Sequence, residues 1–488
     1  MSGLIGPDPL LYPSLGPAVL TFIRSAYGAL LAATLLAALP HARRYFLTER
    51  WGGYAETSRW TDVLQNPLVL PALLTAWLAA AIALVIGWAV VPAAAANVLL
   101  CRYFFIQMRW RGVLRGMGAP GFITYWLGVA VLLLEYTHRF APALQGLALL
   151  VLQVDFALIM LSAGAYKFSA GYRQNDGMEL GMVNPEWGYW HRFWRRKPYD
   201  SAWFRFFNEM AWSTEVVAAV LMLLPATRLA GGLLIAFSFV FIASQIRLGF
   251  LCEMVIVCCL VFAHAGSAVD LWLGEWLGSA AVPAAPGSPA LDAAIGGTLW
   301  AYLLLLPVAR AGLAYNFYGR KVLPGPLQRA LDLYVNAFGL IIWRVFSADL
   351  TNFFVRIHEQ EKGGARRLVS RWGSALRYRQ VAESIAVTSV FTTLKYYPSN
   401  PQLFRDRLMR YARTVPCAPD SILVFEYVSV TVRDRCFEFV PVVEYTVDPR
   451  RGTVSERALD PSIAADAPAA ASPIHEAVRP GTYAPLRS

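Results

Sequence analysis

Residues 142–167 read PALQGLALLVLQVDFALIMLSAGAYK, and Asp155 and Lys167 are the only charged side chains among these 26 residues. A hydrocarbon core about 30 Å thick is crossed by about 20 helical residues, so this stretch is long and apolar enough for a transmembrane helix. The same criterion selects eight further stretches, at 16–40, 66–86, 88–107, 118–136, 207–225, 229–246, 249–265 and 291–313. We therefore predict an all-α polytopic membrane protein with about nine transmembrane helices.

The composition agrees with an integral membrane protein. The 488 residues are 57% hydrophobic and 15% charged, whereas a soluble domain is nearer 45–50% apolar and about 25% charged. The net charge of +11 comes from basic residues between apolar runs, and the soluble part has no basic patch interleaved with aromatic residues, so nucleic-acid binding is not expected. Six scattered cysteines without a C-x-x-C pair indicate neither a metal site nor a disulfide framework.

The distribution of basic residues predicts the orientation. With the N-terminus outside, twenty Lys and Arg side chains fall in the inner segments, against Arg139 and Arg228 outside. Cytoplasmic loops of membrane proteins carry the excess of Lys and Arg. We therefore expect a multi-pass protein of the cell membrane with its N-terminus outside and its C-terminus in the cytoplasm.

The chain divides into four parts. Residues 1–334 form the transmembrane domain, and residues 335–384 form an interfacial helix over 335–350 and a basic linker over 356–379, which suits an anionic inner leaflet. Residues 385–459 are predicted to be a small α+β soluble module. The Ala- and Pro-rich residues 460–488 are predicted to be a disordered tail.

The soluble module has its own pattern of elements. The β-branched and aromatic residues 385–397 predict a strand, and Pro401 begins a helix over 402–414 that Asn400 caps. Residues 422–432 and 437–447 are rich in Val, Phe and Tyr and predict two further strands, joined as a hairpin by 433–436. A protein partner of this module is not identified by its sequence.

Ionisable side chains inside the predicted spans are candidates for function, because each costs about 2.5–3.5 kcal/mol at the centre of a membrane on insertion scales. Asp155 lies halfway along its helix, and Ser162 and Tyr166 fall within about 20° of its direction. This polar stripe has two interpretations, a buried structural carboxylate and a functional group. Glu215 shares a helix face with Asn208, and its interpretations are an interhelical hydrogen bond and a role in a site.

Lys167 ends the same helix as Asp155, and two interpretations are open. A lysine at a helix end often extends its amine to the membrane surface. Alternatively, burial removes water from the amine and favours its neutral form, which accepts a proton as a general base. Ala163, Gly164 and Ala165 are small enough to let a helix or a ligand approach.

The loop over 171–205 is rich in tryptophan and surrounds the sequence Asn-Pro-Glu at 184–186. Aromatic residues gather where a helix meets the membrane surface, and a lid over a pocket in the membrane has the same composition. Both interpretations are kept.

The residues around Lys167 also resemble a known family. The sequence AGAYKF at 163–168, with Gly-Tyr at 171–172, is similar to the "A-G-x-x-K-hydrophobic … W-x-x-G" segment of the horizontally transferred transmembrane (HTTM) domain. Residues 212–225 and Leu-Gly-Phe at 248–250 resemble two further segments of that domain. The resemblance covers about 16–320 and is most specific over 155–265. The family includes vitamin K-dependent γ-carboxylase and bacterial relatives.

The resemblance implies a chemistry for Lys167. In the carboxylase, the matching lysine deprotonates a hydroquinone, which then reacts with oxygen. By resemblance, Lys167 would be the base, with Tyr166, Glu215 and Asp155 as further candidate catalytic residues and a reduced quinone as the cofactor. Such a membrane enzyme, acting on a quinone-type or other lipophilic substrate, predicts a pocket that joins Lys167, Tyr166 and Glu215.

A hypothesis of a different class is a non-catalytic membrane partner or transport component whose soluble module binds another protein. This hypothesis predicts that Lys167 extends into water and that the intramembrane acids are held in ion pairs.

Overall fold

The computed structural model describes residues 13–47, 62–107, 118–174, 177–277, 287–343, 351–361, 364–369 and 382–459. Most of these residues are helical. The helices are α1 Pro17–Ala38, α2 Ala42–Phe46, α3 Leu70–Ile86, α4 Val90–Cys101, α5 Gly118–Phe140, α6 Gln145–Ser169, α7 Met178–Val183, α8 His191–Trp194, α9 Ala202–Leu223, α10 Arg228–Gln245, α11 Leu251–Cys259, α12 Ala268–Leu277, α13 Pro289–Tyr318, α14 Gly325–Phe338, α15 Ala382–Tyr396 and α16 Pro401–Ala412. The strands are β1 Phe353–Glu361, β2 Arg366–Leu368, β3 Ser421–Arg433, β4 Cys436–Asp448 and β5 Thr453–Ala458.

Five helical segments within the described residues are long and apolar enough to cross a membrane. They are Pro17–Ala38, Pro142–Ser169, Ala202–Leu223, Pro225–Gln245 and Pro289–Tyr318. Shorter apolar helices occupy Leu70–Ile86, Val90–Ile106 and Leu251–Phe262. The prediction of a helical membrane protein is thus supported, while five spans rather than nine meet these criteria of length and hydropathy.

Proline and glycine set several of the helix ends. Helices α1 and α13 begin at Pro17 and Pro289, where the missing N–H of proline lacks a helical partner in any case. Helix α3 ends at Gly87, whose φ of 75° lies in the left-handed region that glycine adopts without steric cost. These ends separate the apolar segments into distinct helices.

Helix α6 lies at the centre of the membrane domain. It packs most extensively against α9 and also contacts α5 and α13, and more of it is buried than of the other four candidate spans. The buried positions of α6 include Leu152, Phe156 and Met160, which recur every four residues and so share one face. Side chains on this face of α6 are therefore buried by the neighbouring helices.

The five strands form one antiparallel sheet in the order β2-β1-β3-β4-β5, hereafter the C-terminal sheet. In its register, Phe425 of β3 is opposite Ile357 of β1 and Tyr445 of β4. Helix α15 covers this face, because the ring of Phe391 contacts those of Phe404, Phe425 and Tyr445. The prediction of a small C-terminal α+β unit is thereby supported.

One predicted strand of this unit is wrong. Residues 385–396 of this segment lie in helix α15, although β-branched residues favour strands. Ala386, Val390 and Phe391 are buried together, at the spacing of one helix face, and this packing against the sheet overrides local propensity. The predicted hairpin and the helix after Asn400 are confirmed, and Asn400 Oδ1 accepts a hydrogen bond from the Leu403 N–H at 3.1 Å.

The predicted basic linker over 356–379 is also wrong in part. Residues 356–361 belong to strand β1. Along this strand, Arg356 and His358 lie on one face, and Val355 and Ile357 lie on the other. Arg356 forms an ion pair with Glu426 of the neighbouring strand at 3.1 Å, so the alternating charges mark one face of a sheet. The C-terminal sheet begins at Phe353, well before the predicted boundary at 385.

Of the helix predicted over 335–350, the described residues 335–338 are helical as the end of α14, and 339–343 are not. Helix α14 ends at Phe338 because Gly339 has a φ of 70°, which turns the chain out of the helix. The predictions for residues 344–350, 370–381 and 460–488, including the tail, lie outside the described residues.

Candidate functional site

Lys167 and Glu215 form a buried ion pair, here called the buried pair. Lys167 stands in the last turn of α6 and Glu215 near the middle of α9, and each side chain is 1% exposed. The Lys167 Nζ donates a hydrogen bond to the Glu215 Oε1. The interpretation in which Lys167 extends into water is therefore wrong.

The close approach of α6 and α9 brings the two side chains together. A Cβ atom at Gly164 would lie 2.8 Å from Val216 Cγ2 and 2.9 Å from the Trp212 carbonyl oxygen. Real Cβ atoms do not approach other atoms so closely, so only glycine fits at this crossing. Gly164 is three residues before Lys167, and Val216 follows Glu215, so the crossing point and the buried pair coincide.

The second carboxylate oxygen of Glu215 is available. Glu215 Oε2 is buried and accepts no hydrogen bond from any residue that the structure describes. A buried polar atom without a partner loses its hydration without compensation, so such atoms occur where a ligand, a water molecule or a chemical step needs them. Glu215 Oε2 is therefore positioned to accept a proton or a hydrogen bond from a ligand.

Two buried tyrosines lie in the last turn of α6 and in the turn that follows it. Tyr166 is 5% exposed, and its ring centroid is 5.9 Å from that of Phe317 on α13. Tyr172 is fully buried in the turn after α6. Its pKa is raised well above the ordinary value, first by burial and then by electrostatic interactions with Tyr166, Glu215 and Glu179. The Tyr172 phenol consequently keeps its proton.

A second buried acid, hydrogen-bonded to α9 two turns before Glu215, was missed by the sequence analysis. Glu179, in the fully buried helix α7, accepts a hydrogen bond from Asn208 Nδ2 at 2.6 Å and another from the Gly177 N–H at 2.7 Å. Asn208 Oδ1 accepts from the Met178 N–H at 2.7 Å. The sequence offered one indication of this hydrogen bond, which is that Asn208 shares a helix face with Glu215. Nothing in the sequence of residues 177–183 indicates a buried helix.

Asp155 belongs to a different network. Its Oδ1 accepts from Arg310 at 3.0 Å, and its Oδ2 accepts from Trp126 Nε1 at 2.9 Å and from the Tyr302 hydroxyl at 3.0 Å. Twelve residues separate Asp155 from Lys167, which is about 18 Å along the helix. The structure thus pairs Lys167 with Glu215, places the Tyr166 ring against Phe317 of α13, and leaves Asp155, whose two oxygens are both bonded, in an ion pair that links α6 to α13.

The loop over 171–205 joins the membrane helices to the C-terminal sheet. Asn184 Nδ2 donates to the carbonyl oxygens of Thr351 and Phe353, both at 2.8 Å. Glu186 accepts a hydrogen bond from the Val355 N–H at 3.4 Å. Burial raises the pKa of the Glu186 carboxyl from 4.5 to about 8, and the Val355 N–H opposes the rise. Residues 184–186 therefore act as a joint to strand β1.

Within the described ranges, no group of three or more His, Cys, Asp or Glu side chains could hold a metal ion. Comparison of the chain with protein-family models, curated proteins and solved structures finds no match. The geometry of the buried pair is therefore the feature of this protein that indicates a function.

Proposed function

We propose that this chain is an HTTM-like membrane enzyme of nine transmembrane helices, N-terminus outside and C-terminus cytoplasmic. In this proposal the buried pair removes a proton from a quinone-type or other lipophilic substrate. The observation that carries the proposal is a fully buried Lys–Glu pair with one free carboxylate oxygen. The HTTM resemblance, which implies a lysine base at this position, supports the same residue.

The buried pair can act as one general base. Its ionic form has a free acceptor at Glu215 Oε2. In its neutral form, with the proton on Glu215 Oε2, the Lys167 amine still donates a hydrogen to Oε1 and has a free lone pair on Nζ. Either route ends with an ammonium beside a carboxylic acid, so the pair gains one positive charge. This positive charge stabilises the anion that forms when the substrate loses its proton. In a site without water, the attraction between the two charges is much stronger than in solution.

The surroundings favour a lipophilic substrate. The pair lies between two helices that are long and apolar enough to cross a membrane, and Phe168, next to Lys167, is 45% exposed on that surface. The Phe168 ring contacts that of Trp212 on α9 at 5.0 Å. A substrate dissolved in the bilayer reaches such a site laterally. A phenolic O–H on an apolar ring system, as in a reduced quinone, provides the acidic proton.

The test uses oxygen-dependent conversion of a reduced naphthoquinone by the purified protein in lipid nanodiscs. The quinol gives up its O–H proton to the buried pair, and the overall reaction of quinol with O₂ yields the quinone epoxide and water. We expect the wild-type protein and the exposed control variant Lys321→Ala to form epoxide, and Lys167→Ala and Glu215→Gln to lose at least 100-fold in rate, as expected for a general base.

Absence of epoxide from folded wild-type protein, or equal rates in Lys167→Ala, would overturn this proposal. The alternative of a non-catalytic partner would then gain support, because Asp155 is held in an ion pair, as that hypothesis predicts.

A further inference from the structure

Four basic side chains lie close together in helix α8 and in the turn after it. They are Arg192, Arg195, Arg196 and Lys197, hereafter the cationic patch, and the three arginines are exposed. Residues 187–199 contain no acidic side chain, and no member of the patch forms an ion pair with an acid that the structure describes. The positive charge of the patch is therefore not neutralised by these acids.

The cationic patch lies at one end of two candidate spans, α9 and α10. A short connection joins the two helices, and they pack against each other, so the start of α9 and the end of α10 lie at the same end. Trp194 contacts both, because its Nε1 donates to Gln245 Oε1 at 3.2 Å and its ring centroid is 5.6 Å from that of Phe204. The 22 residues of α9 measure about 33 Å, which matches a hydrocarbon core about 30 Å thick. The patch therefore lies at the level of the lipid headgroups.

Exposed aromatic side chains lie at the same end of α9 and α10. Trp190, Phe193, Trp203 and Phe206 are each more than half exposed. Trp190 Nε1 donates to the Ser244 carbonyl oxygen at 3.1 Å, which holds its ring beside the end of α10. Aromatic side chains gather where a membrane meets water. The aromatic side chains thus support the same membrane level for the cationic patch.

A fifth cation lies behind the patch. Arg247 is 7% exposed, and its Nη1 donates to the carbonyl oxygens of Pro185 and Gly188 at 3.0 and 3.1 Å. The Gly188 oxygen is also 3.2 Å from Nδ1 of His191, the first residue of α8. Carbonyl groups carry no net charge, so the charge of Arg247 adds to the positive potential around α8.

We propose that the cationic patch binds the phosphate groups of anionic phospholipids, while the neighbouring aromatic side chains contact the acyl chains. Arg and Lys form strong charge-assisted hydrogen bonds with phosphate, and anionic lipids attract basic segments beside a membrane helix. The opposite end of α9 and α10 lacks such a surface, because Pro225–Thr227 has no basic side chain and Arg228 is 9% exposed. The inference goes beyond the proposed function and does not depend on it.

Bound lipid also holds the C-terminal sheet near the membrane surface. The Arg195 guanidinium lies 4.8 Å from the centre of the Phe439 ring on β4. Asp200 forms an ion pair with Arg435 at 2.6 Å, just before β4 begins. The cationic patch is therefore in contact with the sheet as well as with the membrane helices.

The test titrates the full-length protein, purified in detergent, with phosphatidylglycerol and separately with phosphatidylcholine of the same acyl chains. Native mass spectrometry gives the fraction of protein that carries lipid. We expect the wild type to bind phosphatidylglycerol at least fivefold more tightly than phosphatidylcholine. The double variant Arg192→Gln, Arg196→Gln leaves Arg195 in place. It should lose at least fivefold in affinity for phosphatidylglycerol, because one basic side chain near an anionic lipid surface strengthens binding about fivefold.

The matched control is the double variant Arg450→Gln, Arg451→Gln, which removes two adjacent exposed arginines from the turn between β4 and β5. This turn lies at the end of β4 away from the cationic patch, about 40 Å along the strand at 3.3 Å per residue. We expect the control variant to bind phosphatidylglycerol as tightly as the wild type does.

The variant Arg192→Lys, Arg196→Lys keeps both charges and should keep the wild-type affinity, and its loss of affinity would overturn binding by charge. Equal affinity of the wild type for the two lipids would overturn the proposal, as would wild-type affinity in the folded glutamine variant of the patch. Equal losses in the patch and turn variants would also overturn it, because the attraction would then follow the net charge of the whole chain.

Discussion

Gly164 of α6 and Val216 of α9 are so close that a Cβ atom on Gly164 would lie 2.8 Å from the Val216 Cγ2. The contact sets the separation of the two helices, and the separation sets the distance between Lys167 Nζ and Glu215 Oε1. A small residue thus permits an ion pair one turn further along the same helix.

The first prediction concerns this crossing. Gly164→Ala must push α6 and α9 apart, and overpacking of this kind costs about 1–3 kcal/mol, more than the helix propensity of alanine returns. We expect a lower midpoint of thermal unfolding in detergent and a loss of epoxide formation. Gly297→Ala is the control, because Gly297 lies in α13 with no atom within 4 Å of the added methyl group. Unchanged stability of Gly164→Ala would contradict the close contact.

The second prediction concerns the charges of the buried pair. Lys167→Met leaves Glu215 as a buried carboxylate without its cation, and breaking a buried pair in this way costs about 3–5 kcal/mol. The double variant Lys167→Met, Glu215→Leu replaces both ions by apolar groups of similar size, which is often neutral. We expect the double variant to unfold at a higher temperature than Lys167→Met while remaining without activity. Additive losses would show that the two side chains do not interact.

The sequence was sufficient to predict the class of protein and one member of the buried pair, Lys167. Long apolar runs indicate burial in lipid or protein, so the sequence was sufficient to predict the membrane helices. Lys167 was singled out because a lysine in an apolar helix is costly. The sequence could not identify which acid pairs with Lys167, because that depends on which helices pack together. The structure pairs Lys167 with Glu215 and Asp155 with Arg310.

The errors arose where tertiary packing decides the local structure. Residues 385–396 have the composition of a strand but cover a sheet as helix α15. Strand β1 was read as a linker because its charged residues alternate with apolar ones and find their partners on β3, about 70 residues later in the chain. Glu179 was missed for the same reason, since its burial comes from contacts with α9.

The third prediction concerns the joint to the sheet. Asn184→Ala removes the donor to the carbonyl oxygens of Thr351 and Phe353, and each buried acceptor left without a partner costs about 1–3 kcal/mol. We expect faster amide hydrogen exchange over residues 353–361, measured by mass spectrometry. Asn400→Ala is the matched control, because it removes a helix cap worth about 1 kcal/mol and should affect only residues 401–412. Equal exchange in β1 of both variants would show that Asn184 does not hold the strand.

The fourth prediction is a pH dependence at Glu186. Its pKa is raised from 4.5 to about 8 by burial. Below about pH 4.5 the carboxyl carries its proton in the folded and the unfolded chain, so pH has no effect through this group. Between these values the folded protein alone keeps the proton, so the free energy of unfolding falls as the pH rises, by about 1.4 kcal/mol per pH unit. Above pH 8 both states have lost the proton, and the decrease ends.

Glu186→Gln removes this titration, because an amide stays neutral at every pH. We expect the variant to lose less stability than the wild type between pH 5 and pH 8, measured as the midpoint of thermal unfolding and as amide exchange over residues 353–361. The exposed acid Glu361 at the end of β1 provides the control, and Glu361→Gln should keep the wild-type slope. An equal slope in Glu186→Gln would mean that Glu186 is ionised in the folded protein, and the joint would then have to hold a buried charge.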